Sequence, residues 1–272
     1  MWCTDFIFDK ERLSDYGMML CSFNEDGDSI WSGGDVTFQT GKTPSASSWK
    51  YYNSTYEQPL ECQVSICNAD HGEAAAHPWL SREEYSSIMR WLKRRDGYYW
   101  LQFDQDDYED IYYRAQIKPQ PVFIGGCPAG FQLTITTDSP YGYSHLMKTS
   151  FSLEKDHPKI VIKNYSDTIG HIYPRITITP KENGSIILNS GIAGNTRQTI
   201  LSGCTTGNSI VLDGEYDIFS GIAPSDFNFV FPVLSNSQDD IHSYFELGTI
   251  DETPSIGFDA VIEYRFPKEV CI

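Results

Sequence analysis

The chain has 272 residues, 40% of them hydrophobic and 21% charged, which is a globular composition long enough for about two domains of ordinary size. Its formal charge of −17 opposes binding to phosphate backbones and to anionic lipid, although a polymer could still pass such a surface without being held. No run of about 18 apolar residues occurs, which excludes a spanning helix, and the opening MWCTDFIFDKERLSD lacks the apolar stretch of a secretory signal.

The protein is therefore expected to be made and folded in a cytoplasm. Cysteines stand at positions 3, 21, 62, 67, 127, 204 and 271 without any CxxC pair, so they are expected to be reduced and to act as small hydrophobic residues.

In chain order, WCTDFIFD, IWSGGDVTFQTG, LECQVSICN, YYWLQFD and IYYRAQIKP have the length and the β-branched or aromatic content of strands, with turn residues between them. One segment has another period. From Ser81 to Gly97, SREEYSSIMRWLKRRDG places Tyr85, Ile88, Met89 and Leu92 on one helical face, and Ser81 and Glu84 have capping-box spacing. Leu80 and Tyr85 are set for a hydrophobic staple, and Lys93, Arg94 and Arg95 are expected in the last turn, where cations suit the dipole. The helix should cover about residues 81–95 and lie against a sheet.

Next, FQLTITTD turns Phe131, Leu133 and Ile135 to one face and Gln132, Thr134 and Thr136 to the other. Pro140 lacks a donor and should stop the ladder. FSLEKDHPKIVIKNYSDT reads as a short strand and a polar turn. An all-strand region follows: YPRITITP, GSIILNS, RQTILSG, NSIVLDG, DFNFVFPVL, SYFELG and FDAVIEYRF, spaced as in an antiparallel sandwich with no helix between strands. The fold class is thus mainly β, with an N-terminal β-sandwich-like domain carrying the one helix over residues 1–150 and a C-terminal antiparallel β-sandwich over 151–272.

Chemical motifs are sparse. Thr40, Gly41, Lys42 and Thr43 give the tail of a phosphate-binding loop, but Val36 stands where its leading glycine belongs and Pro44 follows instead of a helix. His71, Glu73 and His77 match no zinc spacing and suggest a surface connection. Asp104, Asp106, Asp107, Glu109 and Asp110 lack the glycine and terminal glutamate of a calcium loop and read as a solvated hairpin turn. There is no G-x-S-x-G elbow, and nothing selects Asp138 and Asp107 as an acid and base pair. No catalytic residue, cofactor or metal ligand is assigned.

The order of segments carries more than any motif. A strand F-x-F at Phe6 and Phe8 is followed by Ser14, Tyr16 and Gly17, then by a helix ending in Trp91 and Leu92, L-x-F-D at Leu101 to Asp104, and Arg114 with Ala115 in YYRAQI. Ser139, Pro140, Tyr141, Gly142 and Tyr143 close the half. This order resembles the distal tail proteins of long, flexible-tailed bacteriophages, components of the baseplate hub. Pro174 to Pro180, Gly184, Asn189, Gly214, Glu215 and the strand Ile262 to Phe266 resemble that family's galectin-like C-terminal domain. One departure is GKTPSASSWKYYNSTYEQPL, serine-rich and aromatic where the family often has a glycine-rich turn.

The resemblance implies a structural protein and not an enzyme. It implies a homo-hexameric ring formed by the N-terminal domains, stacked on the tail tube protein and carrying the tail-associated protein and in some cases receptor-binding proteins. DNA would pass through the lumen as cargo, no membrane would be bound, and the site of action would be the virion tail tip. Asp138 to Tyr143 is then read as an architectural closure of the ring-forming domain. The rival readings are a carbohydrate-binding module acting in host-surface adhesion, resting on the sandwich pattern and the exposed aromatics expected in the second domain, and a β-fold glycoside hydrolase, for which nothing in the sequence selects a carboxylate pair.

Overall fold

The computed structural model describes residues 3, 5–22, 30–34, 36–42, 47–56, 58–69, 79–250 and 253–269. His71, Glu73, His77 and Thr43 lie outside them. The chain divides into two compact units, the first running to Tyr143 and the second from Ser144 to Lys268. Both are built from antiparallel strands, and among the described residues one α-helix accompanies them.

In the first unit an eight-stranded sheet runs in the order Glu11–Arg12, Phe6–Phe8, Tyr99–Phe103, Tyr113–Ile124, Cys127–Thr137, Glu61–Asn68 and Met18–Cys21, with Ile30–Ser32 also on Glu61–Asn68. Period-two burial gives the sheet one apolar face. Phe6, Phe8, Cys62, Val64, Ile66, Leu101, Phe103, Ala115, Ile117, Phe131, Leu133 and Ile135 are all buried there.

The helix α1, Arg82–Leu92, supplies Ile88, Trp91 and Leu92 to the same core. Ser81 and Glu84 form the expected capping box: the Ser81 hydroxyl accepts from Glu84 N at 3.2 Å and the Glu84 carboxylate accepts from Ser81 N at 2.7 Å. The basic run does not fill the last turn. Lys93 leaves helical geometry at φ −86 and ψ 63, and Arg94 pairs with Asp9 at 2.6 Å and lies over the Tyr99 ring, so a specific partner outweighs the weaker attraction of the dipole.

Tyr113–Ile124 and Cys127–Thr137 form a long hairpin turned by Gly125 and Gly126 at φ 60 and 85. The sequence reading ends the first of these strands at Pro119, yet it continues through Pro119 and Pro121. It can do so because pairing with Tyr99–Phe103 is recorded only over Tyr113–Ala115, so both prolines lie on a stretch paired on one side, where a missing donor breaks no ladder.

The segment IWSGGDVTFQTG is also not one strand. Gly33 and Gly34, at φ 95 and 71, end Ile30–Ser32 and start a separate two-stranded hairpin, Val36–Gly41 with Lys50–Tyr56.

The second unit holds a five-stranded sheet in the order Met147–Leu153, Phe258–Tyr264, Arg175–Pro180, Ile210–Asp213 and Ile218–Ser220. A four-stranded sheet runs Lys159–Lys163, His242–Leu247, Gly184–Ile192 and Asn195–Cys204. One core joins them. Ile176, Ile178, Leu212, Phe258 and Ile262 from the first sheet are buried with Ile186, Leu188, Leu201 and Phe245 from the second, and Phe151 stacks on Phe245 at 5.6 Å, as in a β-sandwich.

FSLEKDHPKIVIKNYSDT supplies two strands, one to each sheet, where the sequence suggested a single short one. DFNFVFPVL is largely irregular instead of extended: Pro224–Asp226 form a 3-10 turn, Phe229 sits at φ 57, and a strand resumes only at Leu234–Asn236. The left-handed Phe229 and the missing donor of Pro232 both break the ladder.

Candidate functional site

Two features of the first unit bear on function. The first is the segment Asp138 to Tyr143. Thr137 is buried, its hydroxyl donating to Ser139 O at 2.6 Å and accepting from Leu60 N at 3.0 Å. Asp138 N donates to Arg114 O at 2.9 Å, and Tyr112 and Tyr143 exchange backbone bonds at 2.8 and 2.7 Å. Gly142 is needed for this approach, because a Cβ there would fall 2.6 Å from Ile111 Cγ2.

Side chains continue the closure. The Arg114 guanidinium meets Asp138 at 3.3 Å, with the two side chains only 17% and 16% exposed, and lies over the Trp100 ring at 5.9 Å. Trp100 packs edge-on against Tyr143, and Tyr143 against Tyr141. Burial pushes the Asp138 carboxyl up from its ordinary value, and the charge of Arg114 opposes that shift. A carboxylate held this way has its partner within the fold, and the arrangement is that of a closure.

The second feature is the hairpin Val36–Gly41 with Lys50–Tyr56. Phe38 is 65% exposed, Tyr52 65%, and Trp49, just before the second strand, 68%. None of them belongs to the buried core of the unit. The Phe38 and Tyr51 rings lie 6.3 Å apart, and the Tyr52 ring covers Gly41, where a Cβ would fall 2.6 Å from it. At the base, Gly34 N donates to Gln58 O at 3.1 Å, and Gly33 leaves no room for a side chain beside Pro59 O. The result is an anchored arm carrying aromatic surface away from its own core. Exposed aromatic side chains gathered on one hairpin are of the kind that interaction sites present.

Among the described residues, the remaining sequence candidates do not converge. Gly41 ends a hairpin strand whose partner, Lys50–Tyr56, is the next described element, where a phosphate loop would lead into a helix. Asp104 pairs with Arg12 at 2.7 Å, and Asp106–Tyr108 make a short 3-10 turn. Among the described residues no group of His, Cys, Asp and Glu side chains gathers as a metal site. Cys3, Cys21, Cys62, Cys67, Cys127 and Cys204 are not joined in disulfides, and burial pushes Cys62 up to about 12. No helix is long and apolar enough to cross a membrane among the described residues.

The aromatic arm is the feature that reading the sequence missed. Its signal was the Gly33-Gly34 pair followed by aromatic residues on both sides of a serine-rich turn, a hairpin pattern hidden by reading residues 30–41 as one strand.

Comparison with known proteins agrees with this architecture. The crystal structure of the SPP1 Dit (gp 19.1) protein, described as a paradigm of hub adsorption apparatus in phages infecting Gram-positive bacteria, superposes with a TM-score of 0.61 at 12% identity, over 96% of this chain and 98% of that one. That likeness establishes a shared fold. The major capsid protein P2 of bacteriophage PM2 matches at 15% identity over 54% of each chain with a TM-score of 0.24, too distant to bear on the fold. No curated protein matches the sequence. Family models describe residues 1–139 as a phage tail protein N-terminal domain and residues 141–250 as a phage tail C-terminal domain. With the first model alone spanning more than half of the chain and the second continuing from it, the chain belongs to this family of phage tail proteins.

Proposed function

We propose that the protein is a structural component of the tail tip, or baseplate, whose N-terminal unit, running to Tyr143, forms a hexameric hub ring. The observation that carries this reading is the exposed aromatic arm. Leaving such rings in water gives up the free energy that burying them would provide, so the arm is suited to a surface supplied by another copy. A closed ring needs two different surfaces on each subunit, and an arm with a separate receiving patch satisfies that requirement. The SPP1 Dit likeness supports the same role.

In this reading the ring joins the tail tube protein to the tail-associated protein and to receptor-binding proteins, and DNA passes through its lumen. The C-terminal unit, Ser144 to Lys268, is a galectin-like sandwich, supported by its two antiparallel sheets and shared core. The acidic chain would let a phosphate backbone slide past without capture.

The test is the solution mass of the full chain by light scattering over a range of concentrations, for the wild type and for a Phe38→Ser, Tyr52→Ser double variant. A six-subunit wild type and a smaller, folded variant are expected. A wild type that stays monomeric at every concentration, alone and with its tail tube protein, would overturn the reading.

A further inference from the structure

In the first unit the strand Met18–Cys21 lies at one end of the sheet and pairs antiparallel with Glu61–Asn68, with Met19 opposite Cys67 and Cys21 opposite Ser65. Residues directly opposite, and residues two apart on one strand, share a face, so Cys21 and Cys67 are diagonal neighbours on the same face. It is the face away from the core, since Met18, Leu20, Val64 and Ile66 occupy the other. Cys62, an odd number of residues from Cys67, also turns to the core.

The two thiols meet. Cys67 is 6% exposed and Cys21 half-buried, and the Cys21 thiol is hydrogen-bonded to the Cys67 sulfur. Diagonal neighbours stand ~7–8 Å apart at the backbone, slightly beyond the ~4.4–6.8 Å that a disulfide spans, so a bridge between them needs one strand to shift. Met18–Cys21 can supply the shift, because among the described residues it has a single neighbouring strand.

Position along the chain gives such a bridge its effect. Residues 22–66 lie between the two cysteines and include both strands of the aromatic hairpin, Val36–Gly41 and Lys50–Tyr56. A bond between the sulfurs would close this whole stretch into a covalent loop and restrict the unfolded chain.

From this juxtaposition we propose that Cys21 and Cys67 are a site of reversible oxidation, where a disulfide staples the segment that carries the aromatic arm. The site lies within the first unit and does not rest on ring formation.

The oxidant is a small disulfide such as oxidised glutathione. The Cys21 sulfur, the more accessible of the two, attacks it and releases one glutathione thiol; Cys67 then displaces the second. Two S–H bonds are lost and one S–S bond forms between the cysteines, and both electrons and both protons leave on glutathione. Burial and the contact with Cys67 hold the Cys21 thiol well above its ordinary value, so the reaction is slow. The strand shift stores strain in the bridge, so a reducing thiol reopens it readily.

The test is overnight incubation of the folded full chain with excess oxidised glutathione at mildly alkaline pH, alkylation of the remaining thiols, digestion without reduction, and mass spectrometry. A linked peptide joining Cys21 to Cys67 is expected, absent after treatment with dithiothreitol, absent in Cys21→Ser and retained in Cys62→Ser. The oxidised chain should unfold at a midpoint higher by roughly 5 °C or more than the reduced one. The proposal is overturned if Cys21 and Cys67 both remain open to alkylation, if they carry glutathione without joining, or if the linked peptide forms only in denaturant.

Discussion

The indole Nε1 of Trp91 donates to the carbonyl of Phe8 across 2.9 Å, and the same indole stacks on Tyr16 at 4.5 Å and on Phe6 at 5.8 Å. One side chain thus fastens α1 to the N-terminal strand through both a polar and an apolar contact. Trp91→Phe keeps most of the packing but leaves the Phe8 carbonyl without this donor, and should cost about 1–3 kcal/mol. Trp91→Ala should cost about 3–5 kcal/mol. Denaturant unfolding provides the measurement. The six tryptophans stand at positions 2, 31, 49, 79, 91 and 100, so intrinsic tryptophan fluorescence reports on the N-terminal half alone.

Removing the helix cap should have a smaller effect. Ser81→Ala is expected to destabilise the first unit by about 0.5–2 kcal/mol. Bonding to the Ser81 backbone holds the Glu84 carboxyl below its ordinary value, so its contribution is present above the unfolded pKa and is lost as pH falls through the folded one. The stability difference between wild type and Glu84→Ala should therefore shrink as pH is lowered through the carboxylate range, as followed by urea unfolding at a series of pH values.

For Asp138 the sign is reversed. Burial raises its carboxyl above the unfolded value, so the ionised form costs stability as pH rises through the folded pKa, and Arg114 opposes that cost. Arg114→Met removes the opposing charge. The variant should lose about 1–3 kcal/mol at pH 7 and recover part of it when pH is brought below the unfolded carboxyl value. A loss that stays constant between those pH values would show that the ion pair is not the cause.

Gly33 and Gly126 separate two effects of glycine. Both have positive φ, at 95 and 85, but a Cβ at Gly33 would fall 2.0 Å from Pro59 O while Gly126 faces open space. Gly126→Ala should cost about 1 kcal/mol from conformation alone. Gly33→Ala should cost clearly more and should loosen the base of the aromatic arm, which limited proteolysis between residues 33 and 59 would detect.

Much of this fold could be read from the sequence where a single rule dominates. Period-two burial in FQLTITTD and the Ser81 and Glu84 cap are local patterns, and both appear in the structure as read. The errors arose where a tertiary partner decided the outcome. Asp9 takes Arg94 out of the helix, and the one-sided pairing of Tyr113–Ile124 lets a strand pass through two prolines. The left-handed break at Phe229 left only alternating phenylalanines in the sequence, a pattern that a buried strand shares, and the Asn228 bonds beside it join segments about 30 residues apart.

Those two prolines have a consequence beyond their own hairpin. A strand bordered on one side only is a template for another chain to add to, and growth of that kind has no natural end. Pro119 and Pro121 remove two donors from the template, and Lys118 between the paired stretch and the prolines adds a charge to it. Backbone polymerisation along this border is thereby discouraged.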